Sequence, residues 1–66
     1  MASVFERHGE EISLYQEITG PVNGGIIFAM AILSDAQEMT DPSDILQEVN
    51  EAKELLASVL DFLLKS

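Results

Sequence analysis

Gly24-Gly25-Ile26-Ile27-Phe28-Ala29-Met30-Ala31-Ile32-Leu33 is the one stretch of this 66-residue chain in which both sides of the backbone are apolar. Short apolar runs are ambiguous between strand and helix. Two alanines and a methionine within the run favour helix, and Ser34-Asp35-Ala36-Gln37-Glu38-Met39 continues the helical spacing. A helix over 25–40 follows. Projected at about 100° per residue, Gly25, Ala29, Ile32, Leu33, Ala36 and Met39 share one face, with Phe28 at its edge. The small residues invite close approach of a neighbouring helix. Ile27, Met30 and Ala31 point elsewhere, leaving an apolar patch beyond what a chain of this size can cover.

The flanking segments are amphipathic. Residues 3–19 read as a helix: Ser3 and Glu6 make the S-x-x-E pattern of a capping box. Val4, Phe5, His8, Ile12, Tyr15 and Ile18 fall on one side, opposite Glu6, Glu10 and Glu17. Gly20-Pro21 stops this helix, and residues 20–25 are expected to be a connector with Asn23 as a cap for the next. Residues 42–65 form the third helix. Asp41 suits its N-cap, Pro42 its first position and Asp44 the positive end of its dipole. Ile45, Val49, Ala52, Leu56, Val59 and Leu63 then recur in a heptad seam, which Leu46, Leu55, Leu60, Phe62 and Leu64 widen. Short connections make helices 2 and 3 an antiparallel hairpin. The expected fold is all-α, three helices in a single domain over 1–66, with helix 1 packed on its own chain or exchanged with a neighbour.

Such a small chain buries a low fraction of its surface and usually needs staples. There is no cysteine and one histidine, so disulfides, thiolate zinc and an all-imidazole site within one chain are excluded. Assembly as a homodimeric helical bundle is the remaining route. The surface expected to meet the second copy comprises Ile26, Ile27, Met30, Ala31, Leu55 and Phe62, because one stripe of helix 1 cannot cover two opposite faces of helix 2.

Twelve acidic and three basic residues give a net charge of −9. That opposes binding to nucleic-acid phosphates or to anionic membranes, and 47% hydrophobic residues oppose disorder. The eight apolar residues from Ile26 to Leu33 fall short of a membrane span. The N-terminus carries no basic stretch leading into an apolar run, so a cytoplasmic protein is expected. No motif for catalysis stands out. His8 with Glu11 reverses the Glu-x-x-His order of di-iron bundles, and a boundary histidine explains it. Asp35, Glu38, Asp41 and Asp44 recur every three residues without the glycine and spacing of a calcium loop, and capping and solubility account for them. No cofactor is expected.

The reading from sequence is a non-enzymatic, acidic helical interaction or regulatory protein that self-associates through apolar helix faces. The alternative is an inhibitor or antitoxin-like protein whose acidic ridges imitate phosphate charge in a partner's basic groove. Glu6, Glu10 and Glu17 on helix 1, with Asp44, Glu48 and Glu51 on helix 3, would form that partner-facing surface.

Overall fold

In the computed structural model, which describes residues 3–65, three helices follow one another: α1 (Val4–Thr19), α2 (Pro21–Gln37) and α3 (Pro42–Lys65). Among the described residues there is no strand. Ser3 caps α1, its hydroxyl accepting from the Glu6 N–H at 3.3 Å. Asp41 caps α3, its carboxylate accepting from the Ser43 N–H at 2.9 Å. Both side chains satisfy donors that the first helical turn leaves unpaired.

The expected connector over 20–25 does not exist. Gly20 alone joins α1 to α2, with φ 107° and ψ 158°. That is a backbone region open to glycine and strained for other residues. Pro21 then occupies the first turn of α2, where its missing N–H is harmless. Asn23 lies inside the helix, exposed, and no side chain caps this N-terminus. Helix 2 therefore starts four residues earlier than the sequence suggests, and Gly24 and Gly25 are helical. It also ends earlier, at Gln37, in a tight last turn where the Glu38 and Met39 N–H groups donate to Asp35 and Ala36. The residue before Pro42 is pushed towards extended backbone, so the break falls ahead of it.

The two helical glycines explain the packing. A Cβ at Gly24 would lie 2.6 Å from the Gln16 Cα, so α1 and α2 meet backbone to backbone there. A Cβ at Gly25 would lie 2.5 Å from Val59 Cγ2, so α2 and α3 meet at the next position. Successive helical residues point about 100° apart, and each glycine therefore admits a different neighbour. Phe28, Ala29, Ile32 and Ala36 continue the buried side of α2, facing Ala52, Leu55 and Val59 of α3 and Val4 and Ile12 of α1. The antiparallel α2/α3 hairpin is the main joint, and α1 packs chiefly on α2.

α1 is bent at His8, where φ −130° and ψ 19° leave the helical region just before Gly9. Glycine weakens a helix by roughly 1 kcal/mol relative to alanine, and the bend falls beside it. The bend separates an N-terminal turn that reaches α3 from a body that lies on α2. Val4 at its start is fully buried, and its N–H donates to Glu54 Oε1 at 3.2 Å.

Candidate functional site

Three arrangements are candidate sites: a polar tie, an aromatic cluster and an apolar face. The polar tie joins Arg7 of α1 to Glu51 of α3, with Nη1 2.6 Å from Oε2. Glu51 is only 4% exposed, and its second oxygen, Oε1, is buried without a hydrogen-bond partner. Glu51 is thus not part of an acidic outer surface, as sequence spacing suggested. The N-terminal turn of α1 folds over it and supplies the guanidinium. Position 51 looks solvated on a helical wheel centred on the heptad seam, and nothing local reveals that α1 would cover it.

Glu48, one turn before Glu51, is half-buried. Desolvation raises its pKa first and the nearby Glu51 charge adds to this, while Arg7 and His8 act in the opposite direction. Glu6, Glu10, Glu17 and Asp44 stand exposed, as expected of a charged outer surface. The row Asp44, Glu48, Glu51 on α3 is broken at its C-terminal member by burial and pairing.

The aromatic cluster sits at the α1/α2 joint. Phe28 lies between His8 and Tyr15, with ring centroids 5.5 Å apart in both pairs and tilted planes. Such tilted contacts are favourable for aromatic quadrupoles. His8 Nδ1 is buried, and at 3.6 Å from Glu11 Oε1 it is beyond hydrogen-bond length. Among the described residues no three His, Cys, Asp or Glu side chains converge as a metal site. Asp35, Glu38, Asp41 and Asp44 are instead distributed over the end of α2, the link and the start of α3. An open apolar groove of about 390 Å³ runs along α1 between Glu11, Leu14, Tyr15 and Ile18.

The third arrangement is apolar. Among the described residues, fifteen large apolar side chains on all three helices are exposed, whereas six (Val4, Ile12, Phe28, Ile32, Leu55 and Val59) are buried. Singly exposed apolar residues are ordinary, and a contiguous set marks a contact surface. The residues of the expected interface divide. Ile26, Ile27, Met30, Ala31 and Phe62 are exposed. Leu55 is not: it is 0% exposed and lies in the intrachain core near Gly25. It belongs to the seam between α3 and α2, and a second copy has no access to it.

The heptad seam of α3 is also rotated from its expected position. Ala52 and Val59 are buried, but Val49, Leu56 and Leu63 are exposed. The core instead takes Glu51 and Leu55, which lie on the α1 side of the seam. This rotation leaves a second stripe outside, Leu46, Val49, Lys53, Leu56, Leu60 and Leu63, with steps of 3-4-3-4-3. Heptad spacing of this kind marks a helix built to pack along its length. On α3, Glu51 faces α1 and Val59 faces α2. Continuing in the same rotational sense, the second stripe lies beyond α2, away from α1. By the same construction on α2, Gly24 faces α1 and Gly25 faces α3, and Ile26, Met30 and Leu33 lie beyond α3. Both sets therefore share one side of the hairpin, opposite α1.

No family model, no curated protein and no solved structure matches this chain. Among the described residues no helix is long and apolar enough to cross a membrane.

Proposed function

We propose that this protein is a small, non-enzymatic helical interaction protein that works as a homo-oligomer, its α2/α3 hairpin face forming the contact between copies. The observation that carries the reading is the exposed apolar side of the hairpin: Ile26, Met30 and Leu33 beside the second heptad stripe of α3. Burying such side chains is worth roughly 1.5–3 kcal/mol each when complete, and a chain this small has little else to offset its ordering entropy. Self-association supplies that burial. The acidic outer helices then keep the assembly dispersed and present a charged surface to further partners.

Sedimentation of the chain at micromolar concentration tests the reading. The wild type is expected to run as an oligomer, and Met30→Glu with Leu60→Glu is expected to dissociate it. A folded wild-type monomer would refute self-association. The competing role, phosphate mimicry in a basic groove, draws support only from the exposed Glu6, Glu10, Glu17 and Asp44, since Glu51 is buried against Arg7.

A further inference from the structure

We propose that the copies pair with α3 antiparallel to α3, about a two-fold axis that crosses α3 between Glu54 and Leu55 and α2 between Ala29 and Met30. This inference rests on the self-association proposed above and specifies its geometry. Length selects the occupant. The α3 stripe from Leu46 to Leu63 extends about 26 Å at 1.5 Å per residue, whereas the α2 patch from Ile26 to Leu33 extends about 11 Å. Beyond Leu33, the outer side of α2 turns polar at Ser34 and Gln37. Within this chain only a second α3 matches an α3 stripe from end to end.

Symmetry gives an independent indication. The stripe is centred midway between Leu46 and Leu63, between Glu54 and Leu55. Gly25 packs directly against Val59, which sets these two positions level. Counting from there along the antiparallel helices, the point between Glu54 and Leu55 is level with the point between Ala29 and Met30. That point is also the midpoint of Ile26 and Leu33. One axis therefore serves both helices, setting Leu46 opposite Leu63 of the partner subunit and Ile26 opposite Leu33 of the partner subunit. A two-fold contact requires this self-complementarity.

Charge and area agree. The chain carries twelve acidic residues, yet neither the α3 stripe nor the α2 patch contains one, so two strongly negative chains can meet there. Lys53 is the one charged member of the stripe. In the antiparallel pair it stands level with Leu56 of the partner subunit. The exposed parts of the stripe and patch amount to on the order of 700 Å² per chain, or about 1,400 Å² for the pair, within the range of stable specific interfaces.

The chain has no cysteine, so introduced thiols report the geometry directly. An oxidised equimolar mixture of Leu46→Cys and Leu63→Cys chains is expected to give the mixed disulfide dimer, while Leu63→Cys alone stays at least tenfold less cross-linked. Sedimentation of the unmodified chain reports self-association separately. A dimer that cross-links through Leu63→Cys alone, or in neither sample, overturns the antiparallel axis and leaves self-association standing. A wild-type monomer overturns both. Should the cysteine chains lose helicity by circular dichroism, Leu46→Glu mixed with Leu63→Lys decides by native mass spectrometry. The antiparallel pair sets the two substituted positions opposite each other and predicts a tenfold excess of heterodimer, whereas statistical mixing, expected of a parallel pair, overturns the proposal.

Discussion

α2 has two neighbours, and it meets them by different physics. Against α3 it presents Gly25, Ala29 and Ala36, and the joint is an apolar interdigitation with Ala52, Leu55 and Val59. Against α1 it presents Gly24 and Phe28, and the joint combines a backbone contact at Gln16 with the His8–Phe28–Tyr15 ring cluster. α1 is then tied to α3 by the Arg7–Glu51 pair and by Val4 N–H on Glu54. The α3 joint rests on apolar packing along most of a helix. The α1 joint rests on one close crossing, the buried Val4 and Ile12 and a few polar or aromatic contacts, interrupted by the bend at His8. The hairpin is therefore the unit expected to persist longest on unfolding, and α1 the element expected to open first.

The largest effect tests the hairpin. Leu55→Ala removes a fully buried side chain and is expected to destabilise the fold by about 2–5 kcal/mol in urea unfolding. A loss below about 1 kcal/mol would mean that α2 and α3 do not meet as described. Gly24→Ala tests the crossing with α1. The added Cβ would press on Gln16 and Tyr15 backbone atoms, which cannot rotate away. Overpacking of this kind costs typically 1–3 kcal/mol, partly offset by alanine's better helix propensity. Hydrogen exchange should show α1 amides losing protection before those of α3, and uniform loss would contradict the ranking of the two joints.

A smaller effect is expected at the polar tie. Arg7→Met leaves Glu51 buried without its cation, a situation that destabilises strongly when both partners are dry. The Arg7 side chain is 36% exposed, so water moderates the loss to about 2 kcal/mol. Adding Glu51→Leu should recover most of it, since replacing a buried pair with apolar groups is often neutral. Failure of the second change to rescue would show that the pair is needed for more than neutralising Glu51.

The smallest effect is a pH dependence. Glu48 has its folded-state pKa raised by desolvation and by Glu51. The folded state therefore binds this proton more tightly than the unfolded chain does. Stability from this group is present below its unfolded pKa and declines as pH rises through the raised folded value. Glu48→Gln is expected to raise the unfolding temperature slightly at pH 7 and to leave it nearly unchanged at pH 3. The reverse order would show that attraction to Arg7 and His8 outweighs burial at this carboxyl.

Much of the framework was readable because its causes are local. Ser3 and Asp41 announce helix starts through hydrogen bonds spanning two or three residues, and Gly20-Pro21 announces a break through backbone geometry alone. The alternation of apolar and polar residues assigns three helices, and small residues at 25, 29 and 36 mark the side of α2 that another helix can approach. The length of the break was not readable. Glycines at 24 and 25 resemble a loop until the helices they admit are in view. Exposure of the expected contact residues was readable on α2, since Ile26, Ile27, Met30 and Ala31 are all outside. On α3 Phe62 is exposed as expected, whereas Leu55 is buried.

What the sequence by itself determined is the set of helices, their order and the surplus of apolar surface, because capping, propensity and periodicity act within a few residues. What only the tertiary structure decided is which stripe of α3 faces inward, that Glu51 is covered by Arg7, and which side of the hairpin α1 leaves exposed. α3 carries apolar residues around more than half its circumference, so its own pattern permits several rotations. The close approach at Gly25 and the reach of the α1 N-terminal turn to Glu51 select one of them, and both depend on residues more than thirty positions apart in the chain.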